Sequence, residues 1–274
     1  MPDWLLQWLP LIAAMLATGL VAGVLAGLFG IGGGVVIVPV LEAALGVLDV
    51  DPAIRMHVAV ATSLATIVPT SISSSLAHHR RHSLDLGIAK RWAPFMLVGA
   101  VLGALLAAQL HSRVLALIFA AIALLIAVKM LFFPVVQSVT RELPRTFWLP
   151  AIPTSIGAFS AMMGIGGGVM SVTALSLFGQ SIHRAVGTGA LLGLAIALPG
   201  TLGFIVTGLA DTRVPSGNLG YVSLIGFACI APMTVLTAPL GARIAHAFSE
   251  KKLTLIFGVF LVFVSARLVL RALG

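Results

Sequence analysis

Charge is what this sequence has least of. Asp, Glu, Lys and Arg together make up 9% of its 274 residues, against about 25% in soluble globular chains. A water-exposed globule with so few charges could not wet its own surface, and the bilayer is the solvent that fits. Cysteine is nearly absent. The single one, Cys229, excludes an internal disulfide and a cysteine metal site. No Lys or Arg precedes Arg55, and the start carries Asp3. A secretory leader opens on basic residues, so the first apolar run is expected to stay as a helix. Enzyme signatures are missing too. There is no His-Glu-x-x-His, no Gly-x-Ser-x-Gly and no Walker phosphate loop. No catalytic role, cofactor or metal is expected, and any transport is secondary or channel-like, without ATP.

What is present is apolar: 59% of residues, arranged in runs with short gaps. The net charge is +8. Its basic residues sit in the gaps with few aromatics among them, as in cytoplasmic membrane loops rather than nucleic-acid sites. The lipid bilayer is the expected partner, and no nucleic acid. Candidate membrane segments are 5–29, 33–48, 56–77, 91–110, 114–133, 147–164, 167–179, 185–208, 219–246 and 253–272. Two of them, 33–48 and 167–179, are short and each follows a glycine cluster, so they read as half-helices or re-entrant pieces.

The chain repeats itself. Residues 29–34 read FGIGGG and 163–168 read MGIGGG. Residues 59–63 read AVATS and 185–189 read AVGTG, each with a proline further on, Pro69 and Pro199. Ser83-Leu-Asp-Leu-Gly87 resembles Ser216-Gly-Asn-Leu-Gly220, and LIF recurs at 117–119 and 255–257. The order is kept throughout. The expected fold is therefore an all-α polytopic membrane protein of two homologous helical repeats, each with four to five membrane segments and glycine-broken short helices. The first repeat covers 1–134, a linker 135–146 and the second repeat 147–274. Matching loops carry opposite biases in basic residues. The gap 78–91 holds Arg80, Arg81, Lys90 and Arg91, while its counterpart 209–218 holds Arg213 balanced by Asp211. That contrast favours inverted halves. If the short segments do not cross, the halves are parallel instead.

The glycine clusters carry the chemistry: Gly30, Gly32, Gly33 and Gly34, then Gly164, Gly166, Gly167 and Gly168. Consecutive glycines cost about 1 kcal/mol each in a helix relative to alanine. Broken backbone survives in a membrane only inside protein or along a cavity. A helix that starts there offers free N–H groups and a positive dipole end, which suits an anion. Paired breaks in two halves point to a transporter's binding site. Close packing is the competing reading, and it is the one adopted for Gly19, Gly23 and Gly27.

Thr62, Ser63 and Thr188 add hydroxyls a turn or two inside the next long helices, although such hydroxyls also bond back to their own helix. Arg55, His57, His183 and Arg184 bias the helix starts toward anions, and arginine's planar fork suits sulfonate-like and carboxylate groups. For both arginines, interfacial snorkelling is the alternative. Histidine titrates near neutrality, which offers a proton-coupling group. Glu42 is a carboxylate in an apolar segment, a relay candidate or one that reaches the interface. The run His78-His79-Arg80-Arg81-His82 reads as a solvated basic loop.

These motifs resemble the TauE/SafE sulfite exporter family, also called the toluene-sulfonate uptake permeases. The likeness rests on duplicated Gly-Ile-Gly-Gly-Gly, the downstream Pro39, and Ala-Val-[Ala/Gly]-Thr-[Ser/Gly] opening the next long helix. It covers essentially the whole chain. It implies a multi-pass permease of a bacterial-type inner (plasma) membrane that moves small sulfur-containing or organic anions and is driven by a proton or anion gradient. Carried over to this sequence, the motif positions are the two GIGGG runs, 59–63 and 185–189. Gly189 stands where the first half has Ser63, so a symmetric pair of hydroxyls is not implied. The alternatives are a passive anion channel and a carrier of a non-sulfur organic anion.

Overall fold

The computed structural model describes residues 3–30, 32–132, 150–244 and 250–273, with the side chains of 3–8, 250–254, 256–257 and 272–273 left aside. Among the described residues the chain forms ten helices and one small hairpin. In order these are α1 (Asp3–Phe29), α2 (Gly34–Val47), α3 (Pro52–His79), α4 (Leu86–Gln109), α5 (Ser112–Phe132), α6 (Ala151–Met163), α7 (Gly168–Leu177) and α8 (Ile182–Gly208). The hairpin strands β1 (Asn218–Leu219) and β2 (Val222–Ser223) follow, then α9 (Leu224–Ile244) and α10 (Glu250–Leu273). Among the described residues, six helices are long and apolar enough to cross a membrane: α1 through its stretch Leu9–Phe29, then α3, α4, α5, α8 and α9. The proposed linker 135–146 lies outside the described residues.

Each of the ten candidate segments corresponds to a helix, with shifted ends. α3 starts at Pro52 rather than 56, because the Asp51 side chain accepts from the Ala53 N–H and proline opens the helix. α4 starts at Leu86 rather than 91, because Asp85 accepts from the Ile88 N–H at 3.0 Å. Its first turns therefore carry Lys90 and Arg91. The expectation of a helix from 219 is corrected. Gly217 and Gly220 take positive φ and turn the chain through the hairpin, so α9 starts at Leu224. Ser83–Gly87 and Ser216–Gly220 thus look alike in sequence but build a helix cap and a hairpin.

From Met96 to Ala107, α4 is large outside and mostly small inside. On α4, Leu97, Val98, Val101, Leu102, Leu105 and Leu106 are exposed, while Met96, Gly99, Ala100, Gly103, Ala104 and Ala107 are buried. Lipid is as apolar as leucine, so the helices gain by close approach rather than by hiding leucine. A Cβ on Gly99 or Gly103 would strike the Thr154 or Ala158 carbonyl of α6. Gly23 and Gly27 meet α9 in the same way, at the backbone of Thr234 and Ala238. The packing role expected for Gly19, Gly23 and Gly27 is where the structure puts them.

α3 runs through the middle, packed on α2, α5, α8 and α9. Its partner α8 is antiparallel to it: Leu64 lies by Gly200, Ser71 by Gly193 and His78 by Gly187. α5 and α10 are likewise antiparallel, with Gly258 early in α10 against Met130 and Leu131 late in α5. α1 packs on α9, and α6 on α4. At about 1.5 Å per residue, α2 is ~21 Å long and α7 ~15 Å, both shorter than a ~30 Å hydrocarbon core.

Candidate anion site at the glycine crossing

The two glycine breaks meet. Gly30, Gly32 and Gly33 have φ of 66°, 72° and 79°, and Gly164 and Gly167 have 67° and 68°. A side chain is strained at such angles, which is why the sequence spends glycine there. Gly33 is the N-cap of α2 and Gly167 that of α7. Neither cap supplies a side-chain hydrogen bond, and neither helix has an acidic residue in its first turn. Each start therefore presents backbone N–H groups and roughly half a positive charge.

Each break is covered by the other half of the chain. Gly30 lies against the Val186 backbone of α8, and Gly164 against the Val60 backbone of α3. Gly34 touches the Gly164 carbonyl directly, and the Ser63 hydroxyl donates to that carbonyl at 2.7 Å. On the other side, a Cβ on Gly193 would lie 2.9 Å from both the Gly166 carbonyl and the Ser71 hydroxyl. Ser63 is eleven residues into α3 and Gly193 eleven into α8. Both are ~17 Å from their helix starts, near mid-depth of a hydrocarbon core.

The expected hydroxyls divide. Thr62 donates to the Val58 carbonyl at 2.7 Å and accepts from the Ser223 N–H at 2.9 Å. Thr188 accepts from the Asp85 N–H at 3.0 Å. Both fasten the head of a neighbouring element. Ser71 and Ser171 are different. They are 2% and 0% exposed, and neither hydroxyl has a hydrogen-bond partner. A buried unpaired hydroxyl is costly, about 1–3 kcal/mol. Here one lies beside the second break and the other in the first turn of α7. Sequence reasoning missed both. Their signal was the polar run Thr70–Ser75 in an apolar helix, and a serine three residues past a glycine cluster.

The cationic candidates do not gather at the crossing. Arg55 stands in the opening turn of α3, where its Nε and Nη2 donate to the Val50 carbonyl at 3.2 and 2.7 Å. His183 and Arg184 are exposed at the head of α8. His57 is buried, with Nε2 3.0 Å from the Ala107 carbonyl and no partner for Nδ1. Its ring lies 5.2 Å from that of Tyr221. The Tyr221 hydroxyl donates to Asp211 Oδ2 at 2.7 Å, and Arg213 binds Asp211 through Nε and Nη2 at 2.8 and 2.7 Å. The Arg213 bonds hold the Asp211 carboxyl well below the usual carboxylate range. Burial first, then the bond to Asp211, push Tyr221 up to about 12. Glu42 pairs with Arg271 at 2.6 Å. In the 78–82 run, His78 turns inward to the Gly27 carbonyl at 3.0 Å, and the remaining four residues are exposed.

A family model described as sulfite exporter TauE/SafE matches residues 15–268, nearly the whole chain and both glycine breaks. The chain belongs to the TauE/SafE family. A probable membrane transporter protein of Haemophilus influenzae is 33% identical over 265 residues, covering 95% of this chain and 98% of its own. Probable membrane transporter proteins of Bacillus subtilis (YunE, 23% identical, 93% of this chain and 96% of its own) and of Methanocaldococcus jannaschii (24%, 90% and 91%) are similar over nearly their full lengths. No solved structure matches significantly. This TauE/SafE chain is thus a multi-pass membrane protein, and the matched region spans the two glycine breaks that meet at Gly34 and Gly164.

Proposed function

We propose that this TauE/SafE protein is a secondary transporter of small anions, sulfite or organosulfonates first, in a bacterial-type inner membrane. The observation that carries this reading is the meeting of the two glycine breaks near mid-depth, where Gly34 at the uncapped start of α2 touches the Gly164 carbonyl of the break that leads into the uncapped start of α7, with the unpartnered Ser71 and Ser171 hydroxyls beside the second break. Positive helix ends and free N–H groups solvate an anion without placing a full charge in lipid. Serine hydroxyls replace part of its hydration shell. The family description, sulfite exporter, supports the sulfur oxyanion class.

The halves are read as an inverted repeat. That reading is supported by the antiparallel course of α3 with α8 and of α5 with α10, the corresponding helices of the two halves. It is also supported by the exchange of partners in which α1 packs on α9 as α6 packs on α4. Rocking one half against the other around a fixed site then gives alternating access. Proton or anion gradients drive it, with His57 a buried titratable group on the interior helix.

The test is radiolabelled sulfite uptake into proteoliposomes holding the full chain, with competing sulfonates, sulfate, chloride and carboxylates and an imposed pH gradient. Saturable flux, inhibited by sulfonates, is expected. Conductance without saturation identifies a channel instead, and no flux with any of these anions overturns the anion reading.

A further inference from the structure

A second positively charged site lies at the far end of α2. A cavity of about 170 Å³ is bounded by Glu42 of α2, Pro52 and Arg55 of α3, Ser112 and Arg113 of α5, and Arg271 of α10. Glu42 is eight residues beyond Gly34, about 12 Å along the helix, so this cavity is not the glycine crossing. Three guanidiniums here face one carboxylate. Arg271 Nη1 takes that carboxylate at 2.6 Å. Arg55 spends Nε and Nη2 on the Val50 carbonyl. Its Nη1 and the Nη2 of Arg271 both crowd the spot where a Gly46 side chain would stand.

Helix electrostatics makes the arrangement costlier still. Arg55 and Arg113 occupy the opening turns of α3 and α5, and neither first turn holds an acidic residue. A helix start repels cations. The nearest cap carboxylate, Asp51, is bonded to the Ala53 N–H and does not line the cavity. Like charges crowded against two positive helix ends break a local rule that proteins break at functional sites. A bound anion removes the conflict.

We propose that this cavity is an anion site of its own, which takes an oxyanion group, either free in solution or on the head of an anionic phospholipid. Beyond the Glu42 pair, Arg113 gives it a planar, forked donor matched to sulfate- or phosphate-type oxygens, and Arg55 adds its remaining Nη1. The cavity has room for such a group with part of its hydration water.

The test uses the purified full chain and two probes. One arm titrates sodium sulfate against sodium chloride at fixed ionic strength and reads the apparent Kd from the melting temperature. The other arm counts phosphatidylglycerol against phosphatidylcholine adducts by native mass spectrometry. Arg113→Gln and Glu42→Gln are compared with the unsubstituted chain. Arg113 is exposed, so its variant is expected to fold, and the melting temperature without anion checks this. The expected result has opposite signs. Arg113→Gln weakens binding at least fivefold, and Glu42→Gln, which frees Arg271, strengthens it severalfold. A response in the sulfate arm assigns a free oxyanion, and one in the lipid arm assigns a head group. No binding in either arm, or binding that ignores both substitutions or falls with both, overturns the proposal. Anion binding at the crossing is indifferent to both substitutions, so this failure leaves the crossing untouched.

Discussion

Gly34→Ala is the substitution that most directly tests the meeting of the two breaks. Gly34 opens α2 with ordinary helical backbone, so alanine there gains at most about 1 kcal/mol of helix propensity. Packing opposes it. The new methyl would fall on the Gly164 carbonyl oxygen, 2.9 Å from Ser63 Oγ and 3.0 Å from Ile165 Cα. Two of those three neighbours are backbone and cannot rotate away. Overpacking of this kind costs about 1–3 kcal/mol, and loss of the Ser63 to Gly164 hydrogen bond costs about 1 kcal/mol more. The net is about 1–3 kcal/mol of destabilisation. At about 2–4 °C per kcal/mol for chains somewhat shorter than this one, the melting temperature in detergent falls by about 2–12 °C, and sulfite uptake falls with it. Gly189→Ala is the control. It also stands at the crossing, but its Cβ would meet only Val172 Cγ2 at 3.1 Å and Gly168 backbone at 3.7 Å, and a valine methyl can give way. It should melt within a degree or two of the unsubstituted chain. A Gly34→Ala protein that melts as high as that chain refutes the direct contact of the breaks.

Other expectations follow from the same geometry. Ser71→Ala removes a buried hydroxyl that has no partner, so melting should be unchanged or higher while the KM for sulfite rises several-fold; equal losses of stability and uptake would make Ser71 a packing residue only. His57→Gln should flatten the pH dependence of uptake between pH 5 and 8, and an unaltered profile would remove His57 from proton coupling. Tyr221 is the sole tyrosine, so absorbance titration reads it alone. It should ionise at about 12, and Asp211→Asn should lower that value by removing the hydrogen bond and the negative charge. Because the folded value lies above the free value of about 10, the neutral phenol stabilises the fold below pH 10, and that contribution is lost as the pH rises toward 12. The depressed Asp211 acts in the opposite sense: its contribution is present above pH 4 and fades as the pH falls through the depressed value.

The helices were legible because apolar runs and glycine clusters are local signals. Both breaks were found from Gly30–Gly34 and Gly164–Gly168, since no other residue tolerates repeated left-handed turns. What local reading could not give is which distant residue covers each break. Val186 and Val60 are ordinary apolar residues, marked only by lying in the AVGTG and AVATS repeats. Thr62 and Thr188 were picked out as site hydroxyls for the same repeat, yet they hold Ser223 and Asp85, partners about 100 or more residues away. The caps at Asp51 and Asp85 lengthened two helices past their apolar cores, because a helix end is set by N–H bonding and not by hydropathy. The hairpin at Asn218–Ser223 was hidden by its likeness to the capped start of α4.

The mutual covering of the breaks has a consequence for assembly order. During synthesis the first break leaves the ribosome long before α8, the helix that closes over Gly30, exists. Until the second half inserts, the first must rest in the bilayer with an open backbone turn, sheltered by the insertion machinery or by water.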